Sequence, residues 1–90
     1  SMRLSEGEVG KEYVIDEINT EEKVKRRMLV LGIIKSTKII ILNKKINGAL
    51  IIKVRGTRIG VSKNVADTVT IMEEEEVKNA RDKISIYRKS

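Results

Sequence analysis

The apolar residues of this chain come in short runs, each cut off by a glycine or by polar residues. KIIILN (Lys38–Asn43), LIIKV (Leu50–Val54), TRIGV (Thr57–Val61) and TVTIM (Thr68–Met72) are rich in isoleucine and valine, and none is long enough for an ordinary helix. Branched aliphatic runs of that length fit a pleated, half-buried surface. The chain holds 14 isoleucines among 90 residues and no cysteine, so packing alone must hold it together. A small, mainly β domain follows.

The punctuation between the runs orders them. KEYVIDEI (Lys11–Ile18) mixes β-branched residues with charges, as a half-buried first strand would. Asn19 with Glu22 three residues on reads as a capping box. Val24, Met28 and Leu31 then supply the core stripe of one short helix, with Glu21–Lys25 and Glu22–Arg26 as supporting pairs. Gly32 stands where a helix takes its left-handed stop. KIIILN is apolar on both faces, which places it centrally or in a closed wall. Asn47-Gly48 marks a loop over Lys44–Ala49, and Arg55-Gly56 has hairpin spacing between two runs. Ser62 caps a short helical turn that packs Val65 and Ala66. About five strands with one early helix suit a small barrel better than a sandwich. Closure also hides isoleucine-rich edges that would otherwise pair with other chains.

The last residues change character. Residues 2–72 read as the barrel domain and residues 73–90 as a charged tail, helical from Glu73 to about Lys83. Ile84, Ile86 and Tyr87 are apolar enough to dock as an extra strand or to mediate self-association.

The formal charge is +6, and its placement is informative. Residues 1–71 carry 14 basic and 8 acidic side chains, while residues 72–90 carry 5 of each, so the excess belongs to the barrel. A basic body suits nucleic acid, an anionic membrane face or an acidic protein.

Catalysis is poorly provided for. There is no histidine, no glycine-rich phosphate loop and no serine with a base at a recognisable spacing. No cofactor is expected, nor a small-molecule substrate. Glu73–Glu76 could offer oxygen ligands to a hard cation, but a contiguous run cannot aim all its carboxylates at one ion, and an acidic helix start explains it. Metal ligation is not expected either. Nucleic acid is the serious rival, yet single-strand readers stack bases on aromatic rings, and Tyr13 and Tyr87 are the only ones. No run approaches the roughly 18 apolar residues of a membrane span, and no signal-peptide pattern is visible, so the expected location is cytoplasmic.

The ordered motifs resemble those of a known family. Gly10 opens the first strand, R-M-L-V-L-G (Arg27–Gly32) ends the helix, and Asn47-Gly48 follows the central strand. V-R-G-T-R-I (Val54–Ile59) and Ala66 complete the set, which is similar to the FeoA family over about residues 4–71. Lys35-Ser36 stands where that family commonly carries Pro-Gly. The resemblance implies an SH3-like barrel and an accessory role in bacterial ferrous-iron uptake. Such proteins are thought to act on the cytoplasmic, GTPase-bearing region of the FeoB membrane transporter without carrying iron, which would hold this chain at the inner face of the membrane. A related barrel ends the iron- or manganese-dependent repressors, so a stand-alone domain of that kind is the alternative, beside a basic nucleic-acid-binding barrel. On charge alone, Arg26, Arg27, Lys44, Lys45, Arg55 and Arg58 are the candidate partner contacts.

Overall fold

A computed structural model describes the backbone of residues 1–89 and the side chains of residues 1–82. Six strands form one antiparallel sheet: β1 (Met2–Arg3), β2 (Glu12–Ile18), β3 (Lys38–Lys44), β4 (Leu50–Val54), β5 (Thr57–Val61) and β6 (Val69–Met72). Their spatial order is β1-β6-β2-β3-β4-β5. Register shifts between Ile15 and Glu17 on β2 and between Ile41 and Asn43 on β3 bend the sheet around its contents, as bulges do. The β2 bulge is pinned by Thr70, whose hydroxyl accepts from the Glu17 amide at 3.0 Å and donates to Asp16 at 3.3 Å.

Inside the wrap lie Tyr13, Ile15, Ile39, Ile41, Leu50, Ile52, Val54, Val69 and Ile71. These are alternate residues of their strands, so each run buries one face. β3 is central, and Ile40 and Leu42 on its other face are half-buried, which accounts for its unbroken apolar run.

The structure departs from the sequence-based expectations at several points. Leu4 is fully buried inside a 3-10 turn over Leu4–Glu6, and β1 pairs with β6, so the sheet begins before Lys11. A two-residue strand has no alternation to read. Asn19 does not cap the first helix, α1 (Glu22–Val30). Its amide donates to the Thr68 carbonyl at 2.9 Å, which keeps it in the sheet, and Glu21 takes the cap position without a side-chain bond. Among the described residues neither Glu21–Lys25 nor Glu22–Arg26 closes to an ion pair. Finally, Leu31 is half exposed, and the core position expected of it is filled by Ile33.

A second short helix, α2 (Lys63–Ala66), is capped by Ser62, whose hydroxyl accepts from the Val65 amide at 3.3 Å. The last helix, α3, runs Glu74–Lys89. Its helical backbone excludes the extra strand considered for Ile84, Ile86 and Tyr87, and their side-chain contacts lie outside the described residues.

Candidate functional site

The end of α1 is built by a backbone motif. The Gly32 amide donates to the Leu29 carbonyl at 3.0 Å and the Ile33 amide to the Met28 carbonyl at 2.8 Å, with Gly32 at φ +81. That pair of bonds with a left-handed residue between them is the Schellman stop. It swings Ile33 into the core beside Met28 and leaves Leu29, Val30 and Leu31 outside.

A turn over Ile34–Thr37 follows. The Thr37 amide donates to the Ile34 carbonyl at 3.1 Å, and Ser36 holds φ +74. This is the left-handed third position that Gly fills in a Pro-Gly turn, adopted here by serine. The nearly buried Thr37 hydroxyl fixes the turn to the helix end, donating to the Gly32 carbonyl at 3.2 Å and accepting from the Ile34 amide at 3.1 Å. The Ser36 amide donates to the Ile15 carbonyl at 2.7 Å, tying the turn to β2. Ile34 is thereby held outward on a rigid support.

The outcome is a set of exposed aliphatic side chains around one helix end. Leu29 is 63 % exposed, Val30 87 %, Leu31 50 % and Ile34 42 %. Lys25, Arg26, Arg27 and Lys35 surround it, all exposed. On one flank a cleft of about 470 Å³ runs between α1 and β2, walled by Ile18, Leu29, Ile33 and Ile34 with Asp16, Glu22 and Lys35 at its rim. On the other, a groove of about 290 Å³ lies between α1 and the β5–α2 segment, lined by Val24, Met28, Ile59 and Val65.

Arg55 joins this face from another element. It occupies the first position of the two-residue β4–β5 turn, with φ +51 followed by Gly56 at +80, the left-handed pair of a type I′ hairpin. Its guanidinium packs on Gly32, where an added Cβ would sit 3.3 Å from Arg55 Nη1. Arg58 lies next to that turn, directly opposite Lys53 across the hairpin. Like charges in that position cost stability, so the fold gains nothing from them.

The six residues singled out on charge therefore divide. Arg26, Arg27, Arg55 and Arg58 come from α1 and from the β4–β5 hairpin whose tip meets it. Lys44 and Lys45 stand at the opposite end of β4, roughly 13 Å away by strand rise. Lys44 Nζ donates to the Ser5 carbonyl at 3.1 Å, a contact internal to the fold. The aliphatic members of the face were not singled out from the sequence. A signal existed: M-L-V-L-G-I-I is apolar all round a helix end, and one helix cannot turn every side to the core.

Some of the charges elsewhere are paired. Arg3 pairs with Glu6 and Asp67, Lys63 with Asp67, Lys11 with Glu73 at 2.6 Å and Lys38 with Glu74 at 2.8 Å. The hydrogen bond from Ser5, joined by one from Lys63, holds the Asp67 carboxyl below its ordinary range. Bonds to Glu73 and Glu74 raise Lys11 and Lys38 above theirs. Among the described residues no carboxylate pairs with Lys25, Arg26, Arg27, Arg55 or Arg58. Among the described residues no group of three or more acidic side chains gathers as a metal site either.

A bent six-stranded sheet with a helix between its second and third strands and short turns elsewhere is an SH3-like barrel. The FeoA domain family model matches residues 2–73, and the chain belongs to the FeoA family. The FeoA protein of Chlorobium tepidum superposes with a TM-score of 0.77 at 24% identity, covering 81% of this chain and 70% of that one. A FeoA-like protein of Clostridium acetobutylicum gives 0.70 at 26% identity, over 81% and 86% of the two chains. The FeoA of Stenotrophomonas maltophilia, solved with zinc, gives 0.68 at 23% identity over 80% and 91%. That protein is described as a prokaryotic SH3 domain and a suggested ferrous iron transport activating factor. A manganese-dependent transcriptional repressor shares the fold over 40% of its own length, with a TM-score of 0.73 at 12% identity. No curated protein matches the chain. Among the described residues no helix is long and apolar enough to cross a membrane.

Proposed function

We propose that this chain is a non-enzymatic accessory protein of bacterial ferrous-iron uptake that binds and regulates the cytoplasmic GTPase region of a FeoB-type transporter. The observation that carries the reading is the α1 end, where four aliphatic side chains stand exposed beside cations that no carboxylate pairs among the described residues, in a chain of the FeoA family. Burying such a cluster within a ring of charged groups is how a docking surface gains affinity and orientation. On this reading Arg26, Arg27, Arg55 and Arg58 meet the partner, while Lys44 and Lys45 contribute by long-range attraction. The chain needs neither cofactor nor bound metal for that task, and its place is the cytoplasm beside the transporter.

Titration of the labelled protein with the transporter's isolated cytoplasmic domain tests it. Amide shifts should move at residues 26–34 and at Arg55, and charge reversal of Arg26 and Arg27 together should weaken binding by roughly tenfold or more. No response at saturating partner would overturn the proposal.

The Lys53–Arg58 pair, both positive and directly opposed, favours a second reading as a nucleic-acid-binding barrel, or as a stand-alone relative of the repressor domain. Against it, Tyr13 is buried and its hydroxyl accepts from the Glu8 amide at 2.8 Å, so its ring offers no face to a base. A steep loss of DNA or RNA affinity with rising salt would support this reading. Absence of binding at low salt removes it.

A further inference from the structure

From the shape of the α1 end we infer that this chain attaches directly and reversibly to an anionic lipid surface, with Leu29, Val30, Leu31 and Ile34 entering the headgroup layer. Leu29, Val30 and Leu31 are consecutive, so they splay around the end of a helix instead of lining one stripe. Val30 is 87 % exposed and stands with Leu31 beside Arg26 and Arg27 in a shallow, open depression. Aliphatic side chains fanned round a helix end and ringed by cations match the apolar and anionic chemistry of a headgroup layer, so the lipid and the transporter's soluble domain would take this face in turn.

The charges agree. Glu21 and Glu22 stand at the start of α1, and Lys25, Arg26 and Arg27 at its middle and end. The helix thus presents its cationic, aliphatic end outward, and Lys35 and Arg55 extend the cationic ring beyond it. Each cation near an anionic bilayer strengthens attachment about fivefold. The tip carries no aromatic anchor, so aliphatic insertion and charge must act together and neither suffices alone. The turn that supports Ile34 is tied to β2 and to the helix end, so the tip is preformed and little ordering opposes insertion.

Ile46, 109 % exposed and preceded by Lys44 and Lys45, offers an internal control at the far end of β4. It is a lone aliphatic on a loop, without the cluster.

Co-sedimentation of the full chain with vesicles tests the inference. Vesicles of equal parts phosphatidylglycerol and phosphatidylcholine should retain the protein at low salt, and pure phosphatidylcholine should not. Retention should vanish near 1 M salt, where screening acts over roughly 3 Å. Val30→Asp should weaken binding about tenfold, Arg26→Gln with Arg27→Gln roughly 25-fold, and Ile46→Asp should leave it unchanged. Val30→Trp should strengthen it roughly fivefold while the protein stays in the supernatant when vesicles are omitted, which separates the gain from aggregation. No retention of the wild type at low salt overturns the inference. So does a Val30→Asp protein that binds vesicles normally, whether or not it loses capture of the transporter's soluble domain. The lipid-free titration described above judges the transporter reading separately.

Discussion

Two sides of this barrel treat charge in opposite ways. Around β1, α2 and the start of α3 several charged groups pair with one another within the chain: Asp67 alone takes a bond from Ser5 at 2.6 Å and ion pairs from Arg3 and Lys63. Around the end of α1 the cations have no carboxylate partner among the described residues, and aliphatic side chains lie open between them. One side closes the barrel and the other is kept available. The contrast teaches that net charge is a poor guide to an interface. Lys63 and Arg3 count toward the +6 as fully as Arg26 does, yet they are occupied in holding secondary structure together.

Changes on the two sides should therefore report differently, beginning with the largest effect. Gly7 is buried on the closed side, where an added Cβ would fall 2.5 Å from Ile41 Cδ1 and 3.1 Å from Ile71 Cδ1. Both isoleucines are fully buried, so their side-chain ends can give way only by disturbing the packing around them. Gly7→Ala should cost about 2 kcal/mol and lower the thermal midpoint by roughly 10 °C. Calorimetry decides it, and an unchanged midpoint would show that the closed side is loosely packed. A smaller and opposite effect belongs to the open side. Ser36 sits at φ +74, where a side chain is strained and glycine is not. Ser36→Gly should stabilise by about 0.5 kcal/mol, the relief of strain being partly offset by the freedom glycine gains when unfolded. Urea denaturation measures it, and a loss of stability would mean that Ser36 makes a contact outweighing its strained backbone.

The strands, the hairpin and the helix stop were legible because short-range chemistry decides them. Arg55-Gly56 and Gly32 adopt the left-handed geometry that their positions demand, and Ser62 caps as its spacing implies. Where the reading failed, a distant partner won. Asn19 was claimed by Thr68, nearly fifty residues on, and Leu4 by a core assembled from all six strands. The candidate site was half legible for the same reason. Charge picked out Arg26, Arg27 and Arg55, but only the fold shows that Arg55 packs on Gly32 while Lys44 turns back to Ser5. The exposed aliphatics were hidden in plain view, because a short apolar run reads as core until something shows which way it faces.

The smallest expected effect comes from acidity, and it separates the two sides without a mutation. The bond from Lys38 holds Glu74 below its ordinary value of 4.5, and those from Ser5 and Lys63 hold Asp67 below 3.8. A carboxylate with a depressed folded-state pKa contributes stability that is complete above its unfolded value and is lost as pH falls through the folded one. The contribution is small because these pairs are solvent-exposed. As pH drops below the ordinary carboxylate range, amide resonances at the start of α3 and around β1 and α2 should therefore shift first. The Schellman stop and the turn over Ile34–Thr37 are held by backbone bonds and a hydroxyl, so residues 29–37 should follow later. A pH titration by NMR reads both regions at once. Simultaneous movement of the two would break the contrast, showing that the charged clasp of the closed side also sets the shape of the open face.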